Sequence, residues 1–545
     1  MIRLPKYTRT LLYSVLFIGI CLLLVGIVPI TPKAMPATVL GFVAAKQLPT
    51  LPTPTLYIGA SVPSALRDET SKWNLLYVDD PQAAAITLDL AKTGEASSVW
   101  VYSLVAPFPT VTDDVSSRDL LDFWHGSGSG PFGGSPLRMA ESTLRAFSAA
   151  WGEPAPSAVV TVPEDGLVEI LWSETPSWGI VPFEIIEPRL KVLSVDQNSP
   201  IRNDFEQGNY PLVLRFQSSD PSYNLPATNR DPSKMTTLML TGVTALVRTT
   251  ASKMERNGMT YPAEDIRDVL LSSDILHINN EVPFYSLCDV PDPNQIGLVF
   301  CSREKYMELL TYIDVDVMEL TGDHFGDYGE QAMRETLQIY NDAGVPYYGG
   351  GANLEEARKP LLMEHNGNKI AFIGCNDKDA YAGADAVTPG AAPCDYDYMR
   401  QQIRALRAQG YVVIATFQYE EYTDPQAAPI QVEDFRWQAE SGAQIVSGSQ
   451  AHFAQVMEFY DDSFIHYGLG NLFFDQMGKT DGGIDNIRRE FVDSHVIYNG
   501  QYISTEIHTF ILMDYSSPRL MDAAERAKFL RYYFEQSGWV AGGVE

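Results

Sequence analysis

Four short polar segments, each directly after a run of β-branched and aliphatic residues, hold the side chains of this sequence best suited to chemistry. The run 274–278 leads into Asn279, Asn280 and Glu281, and the run 315–320 leads into Gly322, Asp323, His324 and Asp327. The run 412–416 leads into Gln418, Glu420 and Glu421, and the run 444–447 leads into Gly448, Ser449, Gln450 and His452, with Gln455 just beyond. Carboxylates and imidazoles gathered in this way serve as metal ligands or as proton-transfer groups. The first requirement is that four segments spread over some 180 residues meet.

The elements around them supply a reason. Strand, polar loop and amphipathic helix repeat several times, the grammar of a mostly parallel sheet covered by helices. Ligands of open α/β sheets bind outside the carboxyl ends of the strands, so the four loops are expected to converge. The spacing of Met333, Leu337 and Tyr340 predicts a helix over 330–343 closed by Gly344, which places the Asp-His loop between a strand and that helix. Gly349 to Gly351 followed by Asn353 and Glu356 invites a phosphate-loop reading, but the Gly-Lys-Ser/Thr ending is absent. Asn353 as a helix N-cap with Glu356 three residues on explains the same residues without a ligand.

With these motifs in order, the stretch 238–476 resembles the CapA family of capsule synthesis, associated with poly-γ-glutamate and with a calcineurin-like metallophosphatase fold. Asn279-Asn280-Glu281 looks like the family's Gly-Asn-x-Glu loop, and 322–329 (GDHFGDYG) looks like its Asn-Asn-His-x-x-Asp-Tyr-Gly loop. The turn and helix at 349–360 (GGGANLEEARKP) and the closing strand at 465–476 (IHYGLGNLFFDQ) match in sequence order.

The departures are informative. The family's first strand usually ends Gly-Asp, with the Asp a metal ligand, but Gly242 is followed here by Val243. The His-Trp-Gly loop falls on Phe417-Gln418-Tyr419, and the Gly-His-His-Pro-His loop falls on 448–452, so three imidazoles become one. A dinuclear hydrolytic site needs several such ligands. The resemblance leaves Glu281, Asp323, His324 and His452 as metal ligands, sufficient for one divalent cation such as manganese, zinc or magnesium. It implies ligation or proton transfer for His324 and His452, and a role for Asp327 in orienting His324. Asn280, Gln418, Glu420, Gln450 and Gln455 are the accompanying polar loop residues. A structural reading stands beside this one: Asp323 and His324 hydrogen-bond each other and cap the next helix, and His452 is a satisfied buried imidazole. Ordinary structural roles are expected for His125, His277, His365, His466, His495 and His508.

The rest of the chain sets the context. Residues 11–30 form an uncharged apolar run of about the 20 residues that a membrane-spanning helix needs. Arg3, Lys6 and Arg9 precede it, so a single-pass anchor with the N-terminus cytoplasmic and the bulk extracytoplasmic is expected, against the alternative of a cleaved signal peptide. The 545 residues carry a net charge of −30, which argues against nucleic acid or anionic lipid as a partner. Of five cysteines, Cys21 lies in the apolar run; Cys288 with Cys301 and Cys375 with Cys394 suit two local disulfides, with zinc binding the alternative.

The expected organisation is a cytoplasmic tip and anchor over 1–32, a Pro/Thr-rich spacer over 33–55, an α/β domain over 56–217 and a linker over 218–234. A metallophosphatase-like α/β domain over 235–480 and a C-terminal extension over 481–545 packed on it complete the chain. The segments 101–126 and 178–196 resemble strands and a helix of periplasmic solute-binding proteins, and an unrelated α/β domain is the alternative. Function is expected in capsule or poly-γ-glutamate-type polymer synthesis, either as a metal-dependent hydrolase or as a non-catalytic binding or assembly factor. The expected partners are the surface polymer or its precursors and membrane synthase subunits.

Overall fold

The strand Met235–Thr244 has no charged residue and is buried along its whole length, as suits the centre of a sheet covered on both faces. In the computed structural model, which describes residues 53–91, 98–128, 130–378, 380–449, 451–476 and 487–543, it organises the first of two facing sheets. Ile275–Asn280, Val317–Glu319 and Tyr347–Tyr348 follow in parallel on one side. Arg489–Tyr498, Gln501–Met513 and Ser517–Leu520 follow antiparallel on the other.

The second sheet runs Leu361–His365, Asn368–Asn376, Val412–Gln418, Ile445–Ser449, Ser463–His466 and Met457–Tyr460, with the middle four strands parallel. Leu238, Leu240 and Ile275 from the first sheet share a core with Ile370, Ile414 and Phe464 from the second. The helices Arg248–Asn257 and Gly329–Ala343 cover the outer face of the first sheet, and Tyr396–Ala408 with Pro429–Glu440 covers that of the second. Helix, sheet, sheet and helix therefore form four layers, and the parallel strands of both sheets place their loops together.

Local expectations are met where their physical cause is local. Gly329–Ala343 is helical and ends at Gly344, whose φ of 71° is the left-handed conformation that glycine takes without penalty. Asn353 caps Leu354–Ala357 by accepting from the Glu356 backbone N–H at 3.1 Å. Cys288–Cys301 and Cys375–Cys394 are both disulfides, which points to oxidising surroundings outside the cytoplasm.

The N-terminal part is built on a ten-stranded mixed sheet in which Ser98–Pro107 pairs with Val213–Ser218, Trp178–Pro182 and Leu190–Val195. The helices Ser117–Trp124 and Glu141–Trp151 pack their Trp124 and Phe147 into its core. The polar stretch 218–234 is tied to this sheet: the Asn229 side chain exchanges two hydrogen bonds with the Val101 backbone, at 2.8 and 2.9 Å. Phe108 reaches the other way, with its ring 5.0 Å from that of Phe459 and 5.3 Å from that of Phe464. Residues from Thr53 onward make one compact unit.

The whole is a mixed α/β multi-sheet protein. The described part of the C-terminal extension does more than pack on a finished sheet, since Arg489–Tyr498 is hydrogen-bonded along Met235–Leu240 at its centre. The expected anchor over 11–30, and the spacer up to residue 52, lie outside the described residues. Among the described residues, no helix is long and apolar enough to cross a membrane.

Candidate metal centre

Glu281 follows Ile275–Asn280, Asp323 follows Val317–Glu319, and Gln418 and Ser449 are the last residues of their strands in the second sheet. The Gln418 amide joins them. Its Nε2 donates to Oε1 of Glu281 at 3.2 Å and to Oδ1 of Asp323 at 3.1 Å, while its Oε1 accepts from the Ser449 hydroxyl at 2.8 Å. The loops of both sheets thus meet at one buried point. Gly322 is required by this closeness, because a Cβ there would lie 2.3 Å from the Glu281 carbonyl oxygen.

His324 occupies the turn Asp323–Gly326, and its Nδ1 is 2.7 Å from Oδ2 of Asp327. The same oxygen accepts from the Phe300 backbone N–H at 2.6 Å, and Oδ1 accepts from the Tyr381 hydroxyl at 2.7 Å. With Nδ1 donating, Nε2 of His324 is left as the ligating or proton-accepting nitrogen. His452 has a left-handed φ of 50°; its Nδ1 pairs with Oδ1 of Asn471 at 2.7 Å, and its Nε2 lies 3.7 Å from Oε1 of Glu281.

Ligand atoms of Glu281, Asp323 and His324 lie within 4.8 Å of one another, so this triad can hold a metal ion. Its electrostatics are those of a crowded, dry carboxylate pair. Burial first, and then the neighbouring Asp323 charge, push Glu281 well above the ordinary carboxylate range. Burial acts to raise Asp323 too, but His324 and Lys378 outweigh it and hold Asp323 low. Burial lowers His452 despite its bond to Asn471.

Among the described residues, the donors fit one cation rather than two. Nζ of Lys378 is 2.9 Å from Oδ2 of Asp323, so an ammonium already sits against that carboxylate. Val243 is fully buried in an apolar cluster with Val247, Phe300 and Phe474, and offers no donor. One cation of oxygen and imidazole preference is what Glu281, Asp323, His324 and the nearby His452 can serve.

Other polar residues of the loops go elsewhere. Asn280 donates to the Val282 carbonyl at 2.8 Å, and Glu420 is exposed while Glu421 faces the pocket. Gln455 points to the carbonyls of Asp424 and Gln426 and accepts from Gln431. Gln450 lies outside the described residues. Nδ1 of His324 is given to Asp327.

Sequence reasoning passed over Lys378 and Arg248, which line the same cavity of about 310 Å³. It also passed over two buried histidine–carboxylate contacts, His466 with Asp493 at 2.6 Å and His277 with Glu319 at 3.4 Å. The pairs are 27 and 42 residues apart, and only the register of the sheets brings them together.

The cavity, the triad and the strand-end loops all fall within one stretch that compares with known proteins. Residues 237–476 match the family model described as bacterial capsule synthesis protein PGA_cap. This part of the chain is similar to the PGA_cap family.

Over 260 residues the chain is 26% identical to the capsule biosynthesis protein CapA of Bacillus anthracis, covering 46% of this chain and 62% of that protein. Over 177 residues it is 27% identical to the PGA biosynthesis protein CapA of Bacillus subtilis (strain 168), covering 32% and 47%. The chain thus spans about half to three-fifths of the length of these curated relatives. Among solved structures, it is similar to a 5'-nucleotidase precursor from Thermus thermophilus at 12% identity and a TM-score of 0.31, covering 55% of this chain and 59% of that one. An ABC-type phosphate transport receptor from Vibrio cholerae is similar at 13% identity and a TM-score of 0.26, covering 30% and 85%. At such TM-scores the likeness assigns no fold. The PGA_cap match ends at residue 476, before the strand Arg489–Tyr498 that completes its central sheet.

Proposed function

We propose that this chain is a membrane-anchored extracytoplasmic protein that acts in the synthesis of a capsule or poly-γ-glutamate-type surface polymer, with one divalent cation held in its PGA_cap pocket. The observation that carries this reading is the convergence of Glu281, Asp323 and His324 at the strand ends of the matched stretch. When bound there, such a cation would polarise a phosphoryl or amide oxygen and acidify a water. The chain's own part is to fix His324 through Asp327, so that Nε2 would be turned to the cation. Phe300 and Phe474 wall the pocket and limit water.

A second reading, a non-catalytic assembly factor, draws support from Lys378 and Gln418, whose N–H groups already satisfy Asp323. Deleting the gene in its host and restoring it as wild type or His324→Ala separates the two. The hydrolase reading expects surface polymer to return with the wild type alone; full return with His324→Ala would favour assembly, and no loss on deletion would contradict both.

A further inference from the structure

We propose that Arg248 is the anion-recognising residue of this pocket, receiving a carboxylate or phosphate group of the ligand on its Nη1 edge. The inference rests on the pocket being a ligand site and adds the charge of what enters it.

Arg248 is the first residue of the helix Arg248–Asn257 and has a left-handed φ of 44°. A residue with a Cβ is strained there by about 1–2 kcal/mol, and such strain concentrates at functional sites. The guanidinium carbon lies 5.0 Å from the ring centroids of both Phe300 and Phe474. Nε donates to Oδ1 of Asp475 at 2.9 Å, and Nη2 donates to the same oxygen. Oδ2 of Asp475 accepts from the Thr249 backbone N–H at 2.9 Å, so the acceptor is itself fixed.

One edge of the guanidinium is therefore committed, with two aromatic rings close to it. Among the described residues, Nη1 has no hydrogen-bond partner, and Arg248 lines the cavity together with Lys378 and His324. Purely structural joining of these segments would be served as well by apolar side chains, because a buried ion pair is neutral or costly by comparison. A planar fork held rigid before the ligand arrives is what carboxylate and phosphate recognition uses. Arg248 and Lys378 share the pocket with Asp323 and Glu421, so it is the unused Nη1 edge, rather than net charge, that would select for a negative group.

The test is calorimetric titration of the full-length protein with two probes, a γ-linked glutamate oligomer and inorganic phosphate. At least one should bind, with affinity that falls as salt rises, and which one binds tells carboxylate from phosphate. Arg248→Gln should weaken it about tenfold or more, the loss of a charge-assisted hydrogen bond. Arg248→Lys, which keeps the charge but not the fork, should fall between, and it carries the test if Arg248→Gln does not fold. Arg436→Gln, remote and paired with Glu458, should bind as wild type. Unchanged affinity in Arg248→Lys and Arg248→Gln, or no binding of either probe to the wild type, overturns the proposal. A probe that is lost in Lys378→Met but kept in both Arg248 variants would leave the pocket standing and remove Arg248 alone.

Discussion

Oδ2 of Asp327 lies 2.7 Å from Nδ1 of His324 and also accepts the Phe300 backbone N–H. One carboxylate therefore sets the tautomer of the imidazole and holds the pocket wall formed by the loop of the Cys288–Cys301 disulfide. Asp327→Ala should weaken metal binding about 10- to 100-fold, as loss of such supporting groups does elsewhere. Competition with a chelating dye measures it, and wild-type affinity in the variant would show that His324 needs no orienting.

Lys378 competes with a cation for Asp323. Lys378→Met should tighten manganese binding, by about tenfold if a neighbouring unit charge at intermediate dielectric is removed. Weaker binding in the variant would mean that the ammonium helps to build the site.

The Cys288–Cys301 disulfide joins cysteines 13 positions apart. Replacing both cysteines with serine should cost about 3 kcal/mol on the chain-entropy argument. Thermal melts of wild type and variant, with non-reducing peptide mapping of Cys288–Cys301 and Cys375–Cys394, check this.

His495 is fully buried, with Nδ1 on Thr505, and burial lowers it from 6.5 to about 4 even though the nearby Asp493 opposes the shift. The unfolded chain takes this proton near pH 6.5 and the folded chain only near 4. Between those values the unfolded state binds more protons, so this contribution is complete above about pH 6.5 and is lost as pH falls toward 4. The loss is on the order of 3 kcal/mol. Denaturant midpoints from pH 7 to 4 should fall less steeply for His495→Asn than for the wild type, and equal slopes would contradict the assignment.

What was legible in the sequence follows from the range of the forces involved. The helix Gly329–Ala343, its Gly344 terminus and the Asn353 cap depend on residues within a few positions, and sequence shows them. Glu281, Asp323 and Gln418 were legible because each stands at the end of an apolar run, and parallel sheets bring such ends together. Arg248 with Asp475 spans 227 positions, and Lys378 lies in a loop without periodic signal, so nothing local marked either. Gln455 and Glu420 share the loops of the site, but Gln455 bonds to the carbonyls of Asp424 and Gln426 and Glu420 is exposed, which spacing alone does not specify. The central strand Arg489–Tyr498 lies beyond every matched motif, and only its pairing with Met235–Thr244 makes it part of the domain.

The most direct test is the metal content of the full-length protein after equilibration with manganese, removal of free ion and elemental mass spectrometry. One ion per chain in the wild type, and none in His324→Ala, is the predicted result. No bound ion, or two per chain, would contradict a single-cation site at Glu281, Asp323 and His324.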